Sequence, residues 1–216
     1  MSKTVRQFTR PVVLLCCVAA LNGCEAFGWF AYGVAGDPPP LDVKAEYRGL
    51  DHQQIVVIVD ADLQTLYRYP AAPLEVCTTL SNAMAEHVPG AVVVNPRQVV
   101  EFQERNIYWN TLTYQEMAAT FNATRLVMID LIEYRSHEPG DRTMWRGQIT
   151  ADVRIAEVDG PTPNDMAYGT TVSVTYPPDQ QFGVVNADEL TIRKATLDLF
   201  TLAVVGKFHD HKEERE

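Results

Sequence analysis

Apolar and polar residues fall into alternating blocks along this chain, each with the period of one kind of element. Ile55 to Val59 (IVVIV) is a continuous β-branched run, short enough for a strand and apolar on both faces, so it predicts a strand buried between two layers. Pro73 to His87 has helical spacing, with proline at its start and Pro89-Gly90 as its stop. Ala91 to Val94 predicts a second buried strand. Asn95-Pro96 then opens a short helix through Glu104, with Asn95 as cap and proline at the first helical position. Thr113-Tyr114-Gln115-Glu116 is a capping box, so another helix runs to about Phe121, where Asn122 closes it in a left-handed conformation.

Arg125 to Arg135 (RLVMIDLIEYR) predicts a long strand. Thr143 to Val158 alternates Trp145, Gly147, Ile149, Ala151, Val153 and Ile155 with polar partners, the period of a half-buried strand. Asp159-Gly160-Pro161 turns the chain, and Met166 to Tyr176 returns it as a further strand. Asn186-Ala187-Asp188-Glu189 resembles a capping box and starts a long helix to about Val205. The order β-α-β-α-α-β-β-β-α predicts a single α/β (α+β) domain: a mixed sheet of about five strands with an antiparallel meander, flanked by helices.

The first residues follow a different logic. MSKTVRQFTR carries Lys3, Arg6 and Arg10 without an acid and leads into the apolar run Pro11 to Leu21, the n-region and h-region of a secretory signal. That run is shorter than the roughly 20 apolar residues a membrane-spanning helix needs. Leu21-Asn22-Gly23-Cys24 resembles a bacterial lipobox, which makes Cys24 the first mature residue and its thiol the lipid attachment site, of the palmitate type. The rival reading, one uncleaved anchor from Pro11 to Gly36, must carry Glu25 near mid-membrane at a cost of about 2.5 to 3.5 kcal/mol. The expected layout is a signal peptide over residues 1–23, a lipidated tether with aromatic and proline-rich parts over 24–42, the α/β domain over 43–207, and a charged, frayed tail over 208–216.

Charge narrows the partners. All 28 acids lie after Cys24 and three of the 18 basic residues precede it, so the mature formal charge is 15 minus 28, or −13. Such a surface repels phosphate backbones, which argues against nucleic acid. Cys77 is the one cysteine left beside Cys24, on a predicted helix with no His or Lys a turn away to activate it, so it reads as structural.

The segments "VKAEYRGLDHQQIVVIVDAD", "YWNTLTYQEMAATFNATRLVMIDLIEYR" and "MWRGQITADVRIAEVDG" resemble uncharacterised bacterial envelope lipoproteins. The resembling domain is similar to the curli secretion lipoprotein and to the amino-terminal domain of the Tol translocation protein. That resemblance covers roughly residues 43 to 205 and implies a role in envelope assembly or partner binding, with no catalytic residues to carry over.

Candidate chemistry is thin. Asp60-Ala61-Asp62 ends the first strand and is the alternative's site: two acids there would serve an envelope hydrolase or glycan-modifying enzyme, against the plainer reading of a turn capped by acids. Asp130 and Glu133 lie three apart on a strand, which predicts opposite faces. His209-Asp210-His211 lacks a scaffold for a metal, and neither a metal nor a cofactor is expected. In "RNIYWNTL", Tyr108 and Trp109 are the candidate partner-binding residues, with an indole that either seals the core or waits for a partner. The expected function is a non-enzymatic interaction or assembly module, lipid-anchored and facing the periplasm, with an envelope protein or a second copy of itself as partner. A concave site with convergent acids at the end of the first strand would favour the enzyme instead.

Overall fold

The computed structural model describes residues 40–213 apart from Asp179 and Gln181, so the signal peptide and Cys24 lie outside the described residues. The elements in chain order are β1 (Leu41–Val43), β2 (Gln54–Ala61), α1 (Leu63–Arg68), α2 (Ala72–His87), β3 (Val92–Val93), α3 (Pro96–Arg105), a one-turn 3-10 helix (Trp109–Thr111), α4 (Tyr114–Thr120), β4 (Arg125–Glu138), β5 (Asp141–Glu157), β6 (Met166–Tyr176), α5 (Glu189–Val205), a second 3-10 turn (Gly206–Phe208) and β7 (His211–Glu213). The chain divides into two units, Val43–His211 and the residues flanking it, and β1 pairs with β7 in a separate two-stranded sheet.

The main unit is an α/β domain on a five-stranded mixed sheet in the order β3-β2-β4-β5-β6. β2 runs parallel to β3 and β4, and β4, β5 and β6 form the antiparallel meander. One core lies between the sheet and helices α2 and α5: Ile55, Val57 and Val59 of β2, Val127, Ile129 and Leu131 of β4 and Ile149, Ala151, Val153 and Ile155 of β5 meet Val76, Leu80, Met84, Phe200 and Val204. A smaller core on the other face joins Val56, Ile58, Leu126 and Ala156 to Val99, Trp109, Met117 and Ala118. Ile55 to Val59 is therefore buried on both faces, which is why the run is apolar without alternation.

Local caps set the helix starts. Asn95 accepts from the Arg97 N–H at the start of α3, and Thr113 and Glu116 form the reciprocal capping box of α4. Asn122 has φ 53° after α4, the left-handed position expected of it.

Several expectations change. The strand at Val92–Val93 is two residues long at the edge of the sheet with Val92 63% exposed, so it is no buried strand. The cap of α5 is Asp188, whose side chain accepts from the Thr191 N–H, rather than Asn186. A short helix, α1, follows β2 directly, with Asp62 as its cap.

The tail is ordered past residue 207. Phe208 is fully buried, the His209 ring stacks on His87 at 5.1 Å, and the Asp210 carboxylate accepts from the Ala45 N–H and from Lys44 and pairs with Arg48. The tail reading fails because it weighed local charge, whereas aromatic anchors distant in sequence hold these residues.

Candidate functional site

The C-terminal end of β2 is where a sheet of this kind opens a crevice, since the chain leaves the strand and returns through a helix on each side. Here β2 ends at Ala61, α1 and the start of α2 leave on one side, and α3 approaches on the other. Between them is a groove of about 330 Å³ walled by Leu66, Pro70, Pro73, Leu74, Val100 and Trp109, with Asp60, Gln103 and Glu104 also lining it. Gln103 fixes the α3 wall by donating its side-chain N–H to the Val59 carbonyl at 3.0 Å.

Trp109 also lines a neighbouring cavity of about 400 Å³ with Arg105, Ile107, Tyr108 and Leu112. The two halves of the sequence's aromatic pair part company here. Trp109 is only 8% exposed and belongs to the smaller core, so the indole seals packing between α3, α4 and the sheet. Tyr108 is 77% exposed and Ile107 is 80% exposed. Leu63 and Tyr67 of α1 are also exposed. Apolar side chains of this size held in water are what a partner surface offers.

The acids at the end of β2 do not converge. The Asp62 carboxylate accepts from the Thr65 N–H at 2.7 Å, and that backbone bond, aided by the Thr65 hydroxyl, holds its carboxyl below the usual range. Asp60 lies on the groove side of β2 instead. By strand register it sits beside Asp130 of β4, which sits beside Asp152 of β5, so three aspartates form a row across neighbouring strands. Arg154 pairs with Asp130, and the Thr171 hydroxyl donates to Asp152 at 2.6 Å. Burial pushes the Asp60 carboxyl above its ordinary value, and the Asp130 charge adds to this, while the Ala61 N–H bond and Arg154 oppose it.

Asp130 and Glu133 prove to share a face, against expectation. A bulge between Leu131 and Glu133 inserts Ile132 as an extra residue. Leu131 and Tyr134 consequently both enter the larger core, though three apart, and the pleat places Asp130 and Glu133 together on the opposite face. Glu133 is nevertheless engaged by Arg135 at 2.7 Å rather than by Asp130. Sequence reasoning missed Asp130 as the neighbour of Asp60; aligning the two strands from Ile55 and Arg125 would have found it.

The remaining candidates are accounted for structurally. Cys77 is buried, its thiol donates to the Val57 carbonyl at 3.2 Å, and burial pushes its pKa up to about 11, away from thiolate chemistry. His209 and His211 direct their Nδ1 atoms to the Val205 and His209 carbonyls. No group of three or more His, Cys, Asp or Glu that could hold a metal occurs among the described residues. No helix among the described residues is long and apolar enough to cross a membrane.

No protein-family profile and no curated protein matches the chain. Solved structures similar to it include bacterial lipoproteins. Lipoprotein GNA1162 from Neisseria meningitidis is 13% identical over 71% of this chain and 96% of that one, with a TM-score of 0.47. The PelC dodecamer from Paraburkholderia phytofirmans is 10% identical over 77% and 95%, with a TM-score of 0.46. The C-terminal domain of LpoB from Salmonella enterica is 12% identical over 61% and 84%, with a TM-score of 0.35. At these identities and scores the likeness concerns the course of the chain alone.

Proposed function

We propose that the chain is a lipid-anchored protein of the bacterial envelope, held through Cys24 and facing the periplasm, whose α/β domain is a non-enzymatic binding module for a protein partner. The lipobox-like LNGC after a basic n-region supports the anchor. The resemblance to the curli secretion lipoprotein and the Tol amino-terminal domain, carried by the segments quoted above, fits the same role.

One observation carries the binding role: the groove at the end of β2 has apolar walls and adjoins, through Trp109, a cavity with exposed Ile107 and Tyr108, while the acids that flank Asp60 are engaged elsewhere. Asp62 caps a helix and Asp130 is paired with Arg154. The partner that fits presents an apolar side chain to Leu66, Leu74 and Trp109 and a basic group to Asp60 and Glu104.

Co-purification from detergent-solubilised native membranes tests both halves. Cys24→Ala abolishes lipid labelling and leaves an unprocessed precursor, and Leu74→Asp releases a partner that the wild type retains. Labelling that persists in Cys24→Ala contradicts the anchor, and a partner retained equally by Leu74→Asp contradicts the groove.

The hydrolase alternative keeps one supporting observation, the raised pKa of Asp60 in a concave site. It requires Asp60→Asn to abolish a glycan- or ester-cleaving activity of the wild type, whereas the binding module needs no such activity.

A further inference from the structure

β6 is the last strand of the main sheet, and among the described residues no strand pairs with its outer edge. At 11 residues it is long for an open edge. Natural edges of that length are guarded by charges, prolines or bulges that turn a second strand away. MAYGTTVSVTY has no charged residue and no proline, its one register shift lies at Ala167 near the start and away from the centre, and Pro177 and Pro178 follow only after the strand ends.

The strand is also self-complementary. Its centre, Thr171-Val172-Ser173-Val174-Thr175, reads the same in both directions. In an antiparallel pair with a second copy, about a two-fold axis through Ser173, serine meets serine, Val172 meets Val174, and Thr171 meets Thr175. The faces match as well. Val172 is buried and Val174 packs against the larger core, while Thr171 and Ser173 are exposed on the other face. Pairing therefore sets valine beside valine on the helix side and hydroxyl beside hydroxyl on the open side, which are favourable cross-strand pairs. A chain of formal charge −10 brings no like charges together along this strand.

The helix above the edge fits the same symmetry. Thr196 of α5 lies against Gly147, the register partner of Tyr176, and Phe208 beyond the end of α5 packs edge-on to Tyr168 at 5.9 Å. α5 thus runs antiparallel to β6, and Leu202, 66% exposed, falls between those two points, level with the middle of the strand. α5 packs on both β5 and β6. With strands about 4.8 Å apart, a helix over the β5 and β6 boundary lies about 10 Å from its symmetry mate, the separation of packed helices.

We propose that β6 is the interface of a two-fold dimer of this chain, in which two sheets join edge to edge and the two α5 helices pack across the axis. This interface is independent of the groove, because β4 and β5 separate β6 from β2.

The test is the mass of the full-length chain in detergent with micelles in excess. The wild type has the mass of two chains. Ser173→Lys and Ser173→Glu each place like charges opposite one another and have the mass of one chain, and an equal mixture of the two recovers the mass of two. Should either charge variant fail to fold, Ser173→Cys decides: mild oxidation gives an interchain disulfide absent from the wild type and from Met166→Cys, which lies far from the axis. A wild type with the mass of one chain overturns the proposal, including the case in which residues 24–39 of the same chain cover the edge. A dimer that survives both charge variants, or a Ser173→Cys chain that forms no interchain disulfide, overturns it too.

Discussion

On one face of the sheet α2 and α5 cover β2, β4, β5 and β6, whereas on the other face α3, α4 and the Trp109 turn cover only β2 and the adjoining parts of β4 and β5. β5 records the difference residue by residue. Ile149, Ala151, Val153 and Ile155 point into the complete layer, while Gln148, Thr150, Asp152 and Arg154 point the other way, where apolar packing resumes only at Ala156. A strand covered on both faces is apolar throughout, as β2 is. One covered on a single face must alternate, because an unpaired apolar face in water gains nothing from folding. The groove lies where the incomplete layer begins, at the junction of apolar walls and the aspartate row.

Cutting into each face tests that difference, and the deepest cut comes first. Phe200→Ala opens a cavity in the complete layer and costs about 3 to 5 kcal/mol of unfolding free energy by denaturant titration, whereas Thr150→Ala on the open face stays within about 0.5 kcal/mol. Similar losses at both positions would erase the distinction between the faces.

Trp109→Ala samples the incomplete layer. With the indole buried against Val56, Ile58 and Met117, the loss is about 3 kcal/mol. An unchanged thermal midpoint would move the indole out to the partner surface.

Cys77→Ala removes one small buried group from the complete layer and costs about 1 kcal/mol. The native thiol stays unreactive to alkylation at neutral pH, since its pKa of about 11 leaves almost no thiolate. Rapid alkylation of folded protein would contradict its burial.

The smallest effect is on the open side. The folded pKa of Asp60 is raised, so the native state holds its proton more tightly than the unfolded chain, and its ionisation weakens the fold as pH rises from the usual 3.8 to the higher folded value. Asp60→Asn therefore raises the thermal midpoint at neutral pH, and the gain disappears below the ordinary carboxylate range. A gain independent of pH would mean that burial and Asp130 do not act on this carboxyl.

Much of the fold was legible in the sequence, because its signals are local. The run IVVIV, the Thr113 capping box and the alternation of β5 each lie within a few residues of the element they specify. What escaped has its cause elsewhere in the chain. The bulge at Ile132 is hidden inside RLVMIDLIEYR, where apolar residues flank it on both sides and no glycine marks the extra residue. α1 has six residues, too short for a helical period, and only its Asp62 cap betrays it. The ordered tail depends on Phe208 meeting Tyr47 and Tyr168 and on His209 meeting His87. The candidate site was half legible for the same reason: Asp60 was visible at a strand end, but its neighbour Asp130 comes from the pairing of two strands 70 residues apart (130 minus 60).

The claim that the groove and the Trp109 cavity beside it receive a protein is tested most directly by a photoreactive residue at Tyr108 in the full-length chain, irradiated in intact cells. A discrete crosslinked protein is expected from Tyr108, lost when Leu74→Asp is added and not formed when the same group is placed at Ser173, where a second copy of this chain is captured instead. No crosslinked protein from Tyr108, or one unaffected by Leu74→Asp, would contradict it.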